Sequence, residues 1–413
     1  MRNIIYFCIV KHPKFFFIAL FLSAIFLHVS EVYARCDGET YHEGCNDSVE
    51  ISLLTCSPGT EVYSLYGHTA IRYTNYAKNI DVVVNYGMFS FRQKYFILRF
   101  IFGLTDYEMG VVPFEFFYNE YKRENRYVVQ QVLNLTKEEK DAVVAALDQN
   151  YLPENRVYRY NCFYDNCTTR ARDIIFRNIR GKVLYANDKS EYPSFRSLTH
   201  SFNGDHPWAR FGNDLLLGVN ADKATDRNEY QFLPFNLEYD FADAKIVNAE
   251  GVKRPLVKAT FKVIENTRQE VRQEDFLRPG TCAMIVFCLI VLVTSFEFFY
   301  KKNLWLFDSF LMFAIGCAGF ILFLMIFSQH PTTSINFQIL LLNPLNLLLV
   351  YRVSKRLKQK RADNFWIYAS LVIILFFIAG IFQKYAEGMY ILALSLLIRC
   401  LWRTIYLKTD NDK

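Results

Sequence analysis

The stretch "YNCFYDNCTTRARDII", residues 160–175, holds two cysteines five positions apart and runs into a helical pattern, while "YSLYGHTAIRY", residues 63–73, carries a histidine beside a glycine. A thiol becomes a strong nucleophile when it loses its proton, and a helix N-terminus favours that loss through its partial positive charge and unpaired N–H groups. Ala171, Ile174, Ile175 and Ile179 share one helical face, Asn166 is a natural cap and Gly181 a terminator. This pattern puts Cys167 in the first turn and leaves Cys162 outside it. The same N–H groups can hold an oxyanion, the second requirement of acyl transfer. A base must reach the thiol, and imidazole suits neutral pH. Among His42, His68, His200 and His206, His68 is preferred because Gly67 permits close backbone approach and the strand after it would fix the ring.

Each of these residues also has a plainer use. Cys167 could be a half-cystine and His68 a satisfied histidine at a strand edge. Cys162 and Cys167 with a histidine could hold a metal, but the C-x4-C spacing is loose for zinc and no second pair follows, so no metal or other cofactor is expected. Arg72, Arg170 and Arg172 could bind phosphate or simply be solvated. Arg72 and Arg170 are carried forward as substrate-binding candidates.

The elements that must position this cluster can be read around it. "VEISLLTCSPG" is a buried strand leading into a turn. "HTAIRYT" and "DVVVNYG", separated by "NYAKNI", predict a hairpin whose turn near Tyr76 and Ala77 brings His68 beside Asn85 or its neighbours, with the register open to a residue or two, and Asn85 is the third polar group expected to orient the ring. "TKEEKDAVVAALDQN" is a helix with a capping box formed by Thr136 and Glu139. The aromatic-dense segment 88–121 is either ordinary core or a greasy wall that receives acyl chains.

The chain has 413 residues and a formal net charge of +6, with much of the excess in one run, "YRVSKRLKQKR", between apolar segments, so nucleic acid is not an expected partner. Residues 1–34 read as a secretory signal or an N-terminal anchor: Arg2, Lys11 and Lys14, an apolar stretch from Phe15 to Leu27, then Val32-Tyr33-Ala34. Five apolar segments follow, at about 281–300, 305–327, 335–351, 365–383 and 389–402, near the ~20 residues that cross a hydrocarbon core. Lys301 and Lys302 follow the first, and a basic run from Arg352 to Arg361 follows the third. "SQHPTTSIN" after the second has no Lys or Arg, which places residues 35–280 outside the cytoplasm. His330, in that loop, lies on the active-site side and is a candidate for contacting a headgroup or amine. Cys36, Cys45, Cys56, Cys162 and Cys167 would then meet an oxidising compartment. Two disulfides would leave one free thiol.

"YSLYGHTAIRY", "NYGMFSF", "FYDNCTTRARD", "LLLG" followed by Asp222, and "FLP" at 232–234 resemble the successive motifs of the periplasmic domain of the Lnb lipoprotein N-acyltransferase family, and "HPTTSINFQILLLNPL" resembles its membrane region. The resemblance implies an α+β fold: a circularly permuted papain-like thiol domain, similar to lecithin:retinol acyltransferase and NlpC-type hydrolases, followed by an α-helical transmembrane bundle. It assigns the nucleophile to Cys167 and the base to His68. Cys162 has no catalytic counterpart and is guessed to pair with Cys56. The expected organisation is a signal or anchor (1–34), a periplasmic catalytic domain (35–250), a stem (251–280), about five membrane helices (281–405) and a cytoplasmic tail (406–413).

The implied activity is transfer of a fatty acyl chain from a membrane phospholipid, through a Cys167 thioester, to the α-amine of a diacylglyceryl-cysteine at the N-terminus of a bacterial apolipoprotein. The location implied is the bacterial cytoplasmic membrane, with the catalytic domain facing the periplasm. Water as acceptor would make the protein a phospholipase or thioesterase, and a peptide substrate would make it a cell-wall peptidase. A non-enzymatic receptor or assembly factor, with Cys167 in a disulfide, is the reading from another class.

Overall fold

The computed structural model describes residues 48–89, 94–186, 190–266 and 277–411. The expected signal, His42, Cys36 and Cys45 lie outside the described residues.

Seven antiparallel strands form the main sheet: β1 (Val49–Cys56), β2 (His68–Asn75), β3 (Ile80–Met88), β4 (Asp106–Pro113), β5 (Val128–Leu133), β6 (Val157–Arg159) and β7 (Val257–Ile264), in the order β7-β5-β1-β2-β3-β4-β6. The β2–β3 hairpin turns over Tyr76–Asn79, with Asn79 in the left-handed region and Asn75 accepting a bond from the Lys78 N–H. Its register pairs Ala70 with Asn85 and Asn75 with Ile80. Strand β7 takes up part of the segment expected as a stem: Val257, Ala259, Phe261 and Val263 alternate with Lys258, Thr260 and Lys262, which suits a sheet edge where lysines also discourage further pairing. Charge density had suggested a solvated tether instead.

The helices of this part are α1 (Phe96–Ile101), α2 (Phe114–Arg123), α3 (Lys137–Tyr151), α4 (Cys167–Arg177), α5 (Phe195–Asn203), α6 (Pro207–Leu216) and α7 (Pro234–Asp243). Helices α3, α4 and α7 cover one face of the sheet: Val143, Leu147, Ile174, Ile175, Leu237 and Phe241 pack on Ile51, Leu53, Ile71 and Val84. Phe117 and Tyr121 of α2 cover the other face, over Leu54, Cys56, Ala70 and Val83. The alternation of buried residues along β1 and β2 thus serves two cores, as a doubly covered sheet requires.

The second part is a helical bundle of α8 (Pro279–Tyr300), α9 (Trp305–Met325), α10 (Leu345–Lys358), α11 (Phe365–Ala379) and α12 (Met389–Asn411). Among the described residues four segments are long and apolar enough to cross a membrane: Pro279–Tyr300, Trp305–Met325, Phe337–Lys358 and Met389–Tyr406. Two of the expected spans differ. The third continues to Lys358, so the basic run forms its last turns, and it is broken near Asn343-Pro344, where proline cannot continue a preceding helix. The fourth is helical over only the 15 residues of α11, about 22 Å.

Four charges with no counterpart in the sequence reading lie inside the bundle. Arg399 holds Asp308 at 2.7 Å and Glu297 at 2.6 Å, and Arg403 bonds both of the same carboxylates. All four are 1% exposed or less. Together they tie α8, α9 and α12 into one unit, since charges in an apolar medium must be paired.

The strip Asp214–Asp222 joins the sheet domain to the bundle. The Gly218 N–H donates to Thr332 O and the Val219 N–H to Ile335 O, both at 2.8 Å, while Gln338, Gln383 and Asn336 donate side-chain bonds to the carbonyls of Asp214, Leu217 and Leu215. A Cβ at Gly218 would stand 2.0 Å from Ile335 O, so only glycine permits this approach. Arg196, 1% exposed, braces the strip through Asp214 and Asp222 at 2.8 Å each.

Candidate active site

Cys167 is the first residue of α4, and Asn166 is its cap. The Asn166 carboxamide oxygen accepts the N–H groups of Thr168 and Thr169 at 2.9 Å, and its amide donates to Cys162 O and Phe232 O. Thr169 returns a bond to the Asn166 N–H at 2.9 Å. The cap therefore consumes two donors that sequence reasoning had left for an oxyanion. The Cys167 N–H is the first-turn amide still available beside the thiol.

His68 begins β2. The β2–β3 register places Asn85 diagonally across from it on the same face, the relation the hairpin argument expected. His68 Nε2 donates to Asn85 Oδ1 at 3.0 Å, which leaves Nδ1 for the thiol. His68 and Cys167 lie close enough for each to shift the other's ionisation, and the Thr69 N–H acts on the thiol in the same sense. Below the pair, the Thr69 and Thr168 hydroxyls meet at 3.0 Å in a buried contact. This link between the residues following His68 and Cys167 carries no sequence signature.

The electrostatics follow from this geometry. Burial alone would raise the Cys167 thiol, but the charge and hydrogen bond of His68, the Thr69 N–H and the Thr168 hydroxyl outweigh it, and the thiol lies below its ordinary value. Burial alone would lower His68, yet Cys167 and Asn85 outweigh it, and the imidazole is raised. The two shifts oppose each other in the sense that favours a thiolate–imidazolium pair.

The remaining expected residues lie elsewhere. Arg72 is bound through two nitrogens to Asp81 at 2.7 and 2.8 Å, donates to Gln130 and lies 3.4 Å over the Phe114 ring. Arg170 is held by Asp165 at 2.6 and 2.8 Å and lies 3.4 Å over Tyr158. Both guanidinium groups are committed within the chain. His330 sits in the bundle loop against Gly103, where burial pulls its imidazole below the ordinary range. His200 is bound to Asp214 at 2.8 and 2.9 Å. The guessed Cys56–Cys162 bond is absent. Both are free thiols, Cys56 buried in the β1–β2 core directly opposite His68 and Cys162 exposed in the loop before α4, so they occupy different layers.

Fold and site together define a membrane-embedded protein whose α+β domain carries a Cys–His–Asn cluster at the junction of a helix N-terminus and a strand. Residues 43–201 match the Lnb N-terminal periplasmic domain and residues 271–411 match the Lnb transmembrane domain. The two matches together cover well over half of the chain, and the protein belongs to the Lnb family. Its N-terminal domain is accordingly periplasmic. No curated protein and no solved structure gives a significant match.

Proposed function

We propose that the protein is a lipoprotein N-acyltransferase of the bacterial cytoplasmic membrane, with Cys167 as nucleophile, His68 as acid and base, and Asn85 as the residue that positions the ring. One observation carries the reading: a thiol at a helix N-terminus, electrostatically coupled to a histidine whose Nε2 is held by Asn85, stands in a domain seated on a membrane bundle.

In the first step the Cys167 thiolate attacks an ester carbonyl of a glycerophospholipid. The C–S bond forms, the ester C–O bond breaks, and the departing lysophospholipid oxygen takes the proton of the His68 imidazolium. The Cys167 N–H stabilises the oxyanion as it develops. In the second step the α-amine of a diacylglyceryl-cysteine attacks the thioester. The C–N bond forms, the C–S bond breaks, the amine proton passes to His68 and the thiolate is regenerated.

The mass of the N-terminal lipopeptide of a reporter lipoprotein tests this, in cells lacking their own N-acylation and supplied with the protein or its Cys167→Ser variant. One added fatty acyl mass, absent with the variant, is expected. No added mass with well-inserted protein, together with released fatty acid, would replace transfer by hydrolysis.

A further inference from the structure

Phe89 and Tyr107 play no part in those steps, yet they belong to a series of touching rings that begins near the thiol. At Gly87, whose φ of +87° suits glycine, an added Cβ would lie 3.5 Å from the Tyr160 ring and 3.8 Å from Cys167 Cβ. Tyr160 is thus a ring near the nucleophile, with the Tyr158 hydroxyl 3.9 Å from the same added Cβ. Tyr107 stacks on Tyr160 with centroids 4.1 Å apart, Phe89 lies 4.9 Å from Tyr107, and Tyr63 meets Phe89 edge-on at 5.9 Å. Tyr107 and Tyr160 rest one side on the domain core and stay partly exposed on the other, and Tyr63 at the far end is 63% exposed.

The four rings come from four separate pieces of chain: the turn before β2, the residue following β3, β4, and the loop before α4. Their alignment is a product of the fold and not of local sequence. The same wall is docked to the bundle. Phe102 O accepts the Gln329 N–H at 3.0 Å, Gly103 lies against His330, and Thr105 O accepts the Tyr160 N–H. Four residues lie between Phe102 and Tyr107, so the two are at most about 18 Å of chain apart. The path from the bundle surface to the ring beside Cys167 is thus short.

We propose that these rings form the track along which the fatty acyl chain carried by Cys167 lies, with Tyr160 at its carbonyl end and Tyr63 near its methyl end. The occupant is a hydrocarbon chain because the wall starts at the acylated sulfur and continues as ring faces and edges. The nearby charges, Arg99, Asp106 and Arg159, are committed to one another. The inference rests on the acyl-transfer reading and adds to it a determinant of chain length.

The test uses the full chain in vesicles of a diacyl glycerophospholipid containing equal amounts of lauroyl and stearoyl chains, and reads the acyl mass on Cys167 in the intact protein. Because Tyr63 is exposed, Tyr63→Ser leaves the fold intact. It is expected to lower the stearoyl-to-lauroyl ratio about fivefold, as the longer chain alone reaches that ring. Tyr160→Ala, at the carbonyl end, should slow both chains alike. An unchanged ratio in Tyr63→Ser, with Cys167 still acylated, would overturn the track. Wild-type protein that acquires no acyl mass would instead overturn acyl transfer itself.

Discussion

The Thr69 and Thr168 hydroxyls lie 3.0 Å apart in a buried contact, joining the residue after the candidate base to the residue after the candidate nucleophile. Because His68 starts a strand and Cys167 starts a helix, their separation depends on how those two elements are pinned. Thr168→Val leaves Thr69 without that partner and should cost about 1–3 kcal/mol of stability. The double Thr69→Val/Thr168→Val variant should regain part of that loss while still acylating more slowly than wild type. Thermal unfolding and acyl mass on Cys167 separate the two effects.

Alkylation of Cys167 should begin at lower pH than that of an ordinary thiol, because the groups around it hold its ionisation below the usual value. His68→Ala removes the largest stabiliser of the thiolate and leaves burial dominant. The midpoint of the alkylation rate against pH should then move above that of an ordinary thiol. A midpoint unchanged by His68→Ala would separate the two residues chemically.

Asn85 accepts the Nε2 proton and helps raise His68, so its loss should lower the imidazole. The proton donated to the leaving group is present below the His68 value and lost above it. In Asn85→Ala the alkaline limb of the pH–rate profile should therefore shift to lower pH. A maximal rate that falls at every pH without any shift would assign Asn85 a purely structural part.

At the seam with the bundle, Gly218→Ala sets a methyl group against Ile335 O and should cost about 1–3 kcal/mol of packing. Cys167 alkylation should persist, since the thiol pair lies in the sheet domain. Acylation from vesicles should fall at least about tenfold, which a parallel assay of both reactions would show.

Within the bundle, Asp308→Asn leaves Arg399 and Arg403 sharing one carboxylate. Removing one partner of a buried pair typically costs about 3–5 kcal/mol. The expected result is a clearly lower unfolding temperature in detergent, with the alkylation profile of Cys167 unaltered.

The start of α4 at Cys167 and the diagonal of His68 and Asn85 were legible in the chain because each rests on a local rule. An asparagine cap marks where α4 starts, and a four-residue turn sets which residues of β2 and β3 face each other. The Thr69–Thr168 contact was not legible, since threonine at a strand start or in a first helical turn has many uses. The Arg399, Arg403, Glu297 and Asp308 group was hidden for another reason. Its acids lie about a hundred residues before its bases, and each span looked apolar on average. Strand β7 was missed because lysines that protect a sheet edge also resemble a solvated tether.

Among the described residues the sheet domain meets the bundle at separated places, among them the Phe102 carbonyl, the strip Asp214–Asp222 and Phe211 of α6. Contacts so far apart in the chain restrain how the sheet domain tilts on the bundle, and under the acyl-transfer proposal they would set the height of the Cys167 sulfur over the lipid. Each methylene drawn from hydrocarbon into water costs about 0.8 kcal/mol. A reacting carbonyl that already floats at that height escapes this cost, whereas a deeper one must be lifted to it. Under that proposal the mounting would act as a depth gauge, favouring ester bonds by where they ride in the bilayer.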